Sequence, residues 1–122
     1  MTFAVTEKGE INNVICIPKY LLKEAINTFG VDSQLNIAVE ELSELIKEIC
    51  KAKRYSDRVD VYWYNSLCEE MADVIIMIEQ LQMIFDNKED VEKYVNEKLN
   101  RLTNLIDEHR IKQEAGEVCG MN

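Results

Sequence analysis

The sequence predicts an all-α protein built as a four-helix bundle. Three observations carry that expectation. Apolar residues recur every three or four positions in the runs around residues 35–49, 67–85 and 91–106, the period of a helix with one buried face. Helix start and stop signals separate those runs. The one stretch that reads as extended, Ile11–Ile17 (INNVICI), is short.

The first helix is expected over KYLLKEAINTF, with Pro18 suited to its opening turn and Gly30 to its end. Asp32 or Ser33 can cap the second, which runs to about Lys53. KRYSDRVDVYWYN then breaks the period. Ser66 with Glu69 three residues on has the form of a capping box and opens a third helix to about Phe85. Asp86 or Asn87 starts the last, from about Lys88 to Gln113, and the tail EAGEVCGMN reads as mobile. At 122 residues and 47% hydrophobic content, the chain suits a single domain over 1–122, with a core of about 18–113 and a tail of 114–122.

Composition narrows the functions. With 23 acidic against 14 basic residues the net charge is −9, and no Lys/Arg stripe stands out, so a nucleic-acid surface is not expected. The longest apolar run, VIIMI, falls far short of the ~20 residues of a membrane span, and the N-terminus lacks a signal-peptide layout. Cys16, Cys50, Cys68 and Cys119 are scattered without a CxxC, and His109 is the only histidine, which disfavours zinc. Reduced, partly buried Cys50 and Cys68 and a cytoplasmic location are the expectation.

Chemistry concentrates in two acidic pairs. Glu41-x-x-Glu44 and Glu70-x-x-Asp73 each place two carboxylates on one helix face about a turn apart, where they can share a divalent cation. Acidic pairs at this spacing are ordinary on solvated helices. These two are unusual in bordering the apolar arcs, Leu35, Ala38, Leu42, Leu45, Ile46 and Ile49 in the second helix and Leu67, Met71, Val74, Ile78, Leu81 and Phe85 in the third. A charge at a core edge is costly unless paired or metal-bound. Glu40 and Glu69 point further outward.

In EELSE (Glu40, Glu41, Glu44) followed by EMAD (Glu70, Asp73), the chain resembles the all-α nucleoside triphosphate pyrophosphohydrolases, the MazG-like group related to dimeric dUTPases and phosphoribosyl-ATP pyrophosphohydrolases, over roughly residues 18 to 110. The resemblance implies a MazG-like four-helix bundle, Mg²⁺ (with Mn²⁺ as a substitute) held by Glu41, Glu44, Glu70 and Asp73, and hydrolysis of a nucleoside triphosphate between its α and β phosphates, in a nucleotide-housecleaning role. Glu41 or Glu44 is the expected general base. No Ser-His or Cys-His set suggests a covalent route.

Four further residues are candidates for substrate contact. Trp63 lies among Tyr55, Tyr62 and Tyr64, an aromatic group able to stack on a base. Asn36 is a candidate for a base edge. Lys98 projects into the stripe of Val91, Val95, Leu102 and Ile106, with Arg101 at its border, and both are candidates for phosphate. Ile75, Ile76 and Met83 point away from the third helix's main stripe and suggest a homodimer or a homotetramer built as a dimer of dimers. A di-iron bundle would want two ExxH motifs, which a single histidine cannot supply. The remaining alternative is a non-catalytic acidic module with the same fold.

Overall fold

The structure, a computed structural model, describes residues 15–55 and 62–120, with side chains described as far as residue 116. The described residues form four helices and no strand: α1 Lys19–Phe29, α2 Val31–Tyr55, α3 Tyr62–Phe85 and α4 Lys88–Gly120. Expected residues 11–14 and 56–61 fall outside the described part. No described helix is long and apolar enough to cross a membrane.

Gly30 is the whole connection between α1 and α2. Its N–H donates to Ile26 O at 2.9 Å, closing α1, and its carbonyl accepts from Gln34 N–H at 3.1 Å, opening α2. At φ +88° and ψ 153° the backbone lies where L side chains are strained. Gly30 thus does what Asp32 or Ser33 was expected to do, and α2 starts at Val31. The α3 boundary also moves: the helix begins at Tyr62 rather than Ser66. The extra turn buries Trp63, a larger gain than the capping box offers. At its far end, Asp86 adopts φ 48°, a left-handed stop that Asp tolerates.

Seven Cα steps from Tyr55 to Tyr62 reach at most ~25 Å, whereas a 24-residue α3 is ~36 Å long. The two helices therefore run antiparallel. They pack along matched seams: Gln34, Ala38, Glu41, Leu45, Glu48 and Ala52 on α2, and Trp63, Ser66, Glu70, Asp73, Met77 and Gln80 on α3. Both seams alternate steps of three and four, the 3.5-residue period of helices that pack lengthwise. Ala38 and Ala52 let the backbones approach closely.

These seams coincide only in part with the apolar arcs expected from the sequence: Ala38 and Leu45 belong to both, and Leu35, Leu67, Val74 and Leu81 are half-buried. The buried direction is turned from the arc toward the acids by roughly 70° on α2 and roughly 90° on α3, taking ~100° per residue. Leu42, Ile46 and Ile49 on α2, and Met71, Ile78 and Phe85 on α3, are exposed instead. α1 packs against both α2 and α3 and buries Leu22.

Two compact units divide the chain, Met1–Asp86 and Asn87–Asn122. The second contains α4, which runs seven residues past the expected Gln113 and opens with Val91 N–H donating to Asn87 O at 2.9 Å. Every described α4 residue after Val91 is exposed, His109 included. Cys16, Cys50 and Cys68 are free, and Cys50 and Cys68, expected to be partly buried, are exposed.

Candidate metal centre

Midway along the α2–α3 seam, one carboxylate oxygen from each of Glu41, Glu70 and Asp73 lies within 4.8 Å of the others. Glu41 comes from α2, and the pair three residues apart comes from α3. Antiparallel packing makes the meeting possible, because it sets a residue 14 positions before the end of α2 level with residues 8 and 11 positions after the start of α3. The seam is tight on either side, at Ala38, Met77 and Gln80 and again at Glu48, Ala52 and Trp63. At the acids it opens: Glu41 and Glu70 are half-buried and Asp73 is exposed.

Partial burial pushes the Glu41 carboxyl above the ordinary glutamate range. The negative charges of Asp73 and Glu70 push it further, and so does hydrogen bonding of its acid form to both. Glu70 Oε2 is sealed from solvent and has no hydrogen-bond partner. A carboxylate oxygen left in that condition costs on the order of 1–3 kcal/mol. Crowded anionic oxygens with one lone pair set unsatisfied are a donor set that a hard cation such as Mg²⁺ or Ca²⁺ suits, and one that zinc, which favours nitrogen and sulfur, does not require.

Glu44 lies one turn beyond Glu41 and is exposed; it forms an ion pair with Lys47 at 3.9 Å. The three-carboxylate group does not include it. Glu40 and Glu69 are exposed, as expected.

Trp63 occupies the same face of α3 as Glu70, seven residues earlier, which is about two turns or ~10 Å along the axis. It is only 8% exposed, and its ring meets Tyr64 edge-on, with centroids 5.9 Å apart and planes at 89°. Its faces are therefore engaged in packing, while Tyr62 and Tyr64 are exposed. Asn36 is exposed on the Glu40 side of α2, about 140° around the helix from Glu41. Lys98 and Arg101 are exposed on α4, within the second unit.

The seam has other polar members, and sequence reasoning missed Gln34 and Gln80 among them. Glu48 is 5% exposed; its Oε1 accepts from Lys51 Nζ at 2.9 Å and its Oε2 is sealed without a partner. Trp63 Nε1 and Gln80 Oε1 are in the same condition. Four of the unsatisfied buried atoms among the described residues thus lie on one seam. The signal was present as the seven-residue spacing of Gln34, Glu41 and Glu48 on α2 and the four-and-three spacing of Ser66, Glu70 and Asp73 on α3, which a search for apolar arcs passes over.

Comparison with protein-family models, with curated proteins and with solved structures finds no match to this chain. The functional argument rests on the site itself.

Proposed function

We propose that this chain is a nucleoside triphosphate pyrophosphohydrolase that uses Mg²⁺, with Mn²⁺ as a substitute, to cleave a nucleoside triphosphate into monophosphate and pyrophosphate. The observation that carries the reading is the convergence of carboxylate oxygens of Glu41, Glu70 and Asp73 within 4.8 Å, with Glu70 Oε2 sealed and without a hydrogen-bond partner. An α2–α3 seam that encloses acids and leaves apolar residues outside is a costly way to build a helix pair, and costs of this kind collect at functional sites. The motif resemblance supplies the reaction class.

Glu41, Glu70 and Asp73 would hold the cation, and Glu44, one turn further along α2, is retained as a candidate fourth ligand. When bound, the cation supplies charge neutralisation and polarisation of phosphate oxygens. Without it, a net charge of −9 and a trio of carboxylates repel a triphosphate. Glu41, whose proton affinity is raised, is the carboxylate best suited to take a proton from the attacking water, and Glu44 is the next candidate. Lys98 and Arg101 are retained as candidates for phosphate, and Trp63 and Asn36 as candidates for the base. Self-assembly and a cytoplasmic, housecleaning role belong to the same proposal.

The test is release of pyrophosphate and monophosphate from a panel of NTPs and dNTPs with Mg²⁺, comparing wild type with Glu41→Gln and Asp73→Asn. Turnover lost in both variants supports the reading. Absence of turnover in a folded, metal-replete protein defeats it.

One observation favours a second reading, a binding module that takes a cation without hydrolysis: Glu44 stands beside Lys47 and leaves three acids together rather than four. Mg²⁺ binding by calorimetry with no turnover on the same panel would select it.

A further inference from the structure

α1 packs against both α2 and α3 and leaves an open groove on each of its flanks. Lys19 and Lys23 face the first groove, against Met83 and Ile84 of α3. The second is about 430 Å³ and sets Leu22, Ala25 and Phe29 of α1 against Ile76 and Gln80 of α3, with Glu24 as its one charged member among the described residues. The helix thus sorts its charges, basic on one flank and acidic on the other.

Gln80 distinguishes the second groove from an ordinary surface crease. It is 4% exposed, and its Oε1 is shut off from solvent with no hydrogen-bond partner. Leu22, Ala25 and Ile76, which line the groove with it, carry no side-chain donor. A buried acceptor left in that condition costs free energy, and native structures leave few of them without a reason.

We propose that this groove between α1 and α3 binds a small organic cation: a primary ammonium or amidinium group carried on a hydrocarbon or aromatic body. Each part of such a ligand meets a part of the groove. Its N–H groups are the donors that Gln80 Oε1 lacks, and an ammonium has three, enough to reach the Glu24 carboxylate as well. Its body lies on Leu22, Ala25 and Ile76, with the Phe29 ring, 64% exposed, available to a cation or to a second ring. An apolar cleft with a few convergent polar groups and a volume within ~300–1,000 Å³ is the usual form of a small-molecule site. A net charge of −9 favours cations over anions throughout. The groove shares no residue with Glu41, Glu70 and Asp73, so the assignment stands whether or not the chain hydrolyses nucleotides.

The experiment is a ¹H–¹⁵N NMR titration of the full chain at neutral pH with three probes of closely similar body: phenethylamine, phenethyl alcohol and phenylacetate. The amine is expected to shift the Gln80 side-chain amide and the backbone amides of Ala25, Thr28 and Ile76, saturating in the millimolar range as suits so small a ligand. The alcohol should bind at least about twofold more weakly, for want of the charge facing Glu24, and phenylacetate should leave those signals in place. Gln80→Leu should weaken the amine about threefold to tenfold, the loss of one hydrogen bond, and Glu24→Gln about twofold to fivefold, the loss of an exposed ion pair. Equal responses to all three probes overturn the proposal, as do the absence of shifts at the groove and shifts centred on Glu41, Glu70 and Asp73. Should Gln80→Leu unfold, Glu24→Gln decides, because Glu24 is exposed and its replacement leaves the packing intact. An unchanged affinity in that variant overturns the site.

Discussion

Glu70→Gln should make the metal-free protein more stable and, at the same time, unable to use a cation. In the wild type, Glu70 stands within 4.8 Å of two other carboxylate oxygens. A like-charge pair at that distance is unfavourable by ~0.9 kcal/mol in water and ~3.5 kcal/mol at an effective dielectric of 20. With Asp73 exposed and salt screening both contacts, about 1 kcal/mol per neighbour is a fair figure, or ~2 kcal/mol for the two. The glutamine has nearly the same shape, and its amide can donate to Glu41 or Asp73. At roughly 4 °C per kcal/mol for a chain of this length, the melting temperature in EDTA should rise by ~8 °C.

Added Mg²⁺ should then stabilise the wild type and leave Glu70→Gln nearly unchanged. If the wild type binds with a dissociation constant near 1 mM, 10 mM Mg²⁺ stabilises it by ~1.4 kcal/mol, and Glu70→Gln gains little. The assay is thermal unfolding by circular dichroism in EDTA and in 10 mM MgCl₂. Equal or lower stability of Glu70→Gln in EDTA would refute the crowding argument. Equal Mg²⁺ stabilisation of both proteins would refute the cation site.

Other expectations follow from single residues. Trp63→Ala empties a buried position and should cost about 3–5 kcal/mol, read as a lower urea midpoint, whether or not the ring also serves a base. Glu48→Leu removes a buried carboxylate with one unsatisfied oxygen and should be neutral or stabilising in the same melt, whereas Lys51→Ala strips the partner of a buried charge and should destabilise. Gly30→Ala meets no steric obstacle, since nothing lies within 4 Å of the added Cβ, yet φ +88° should make it cost about 1–3 kcal/mol. The Glu41 carboxyl has a higher proton affinity folded than unfolded, so its contribution to metal-free stability is full below the ordinary glutamate range and is lost as pH rises through the raised value. Protons and cation compete there, and Mg²⁺ affinity measured by calorimetry should therefore fall on acidification at a higher pH than ordinary carboxylates would give.

The sequence by itself determined that the chain is helical and where most helices lie, because apolar period and Pro/Gly punctuation are local properties. It marked Glu41, Glu70 and Asp73 for the same reason: i, i+3 spacing puts Glu70 and Asp73 on one face of α3 without help from the rest of the fold. It misjudged the start of α3, where burial of Trp63 outweighs a capping box. It misjudged which faces pack as well, since hydrophobicity says which side chains avoid water but not which neighbour covers them. Only the tertiary structure decided that α2 and α3 meet along Gln34, Glu41, Glu48, Glu70 and Gln80, with Glu44 left beside Lys47. Residues 29 to 32 positions apart come together through an antiparallel turn, and their register is a property of the pair, written in neither helix alone.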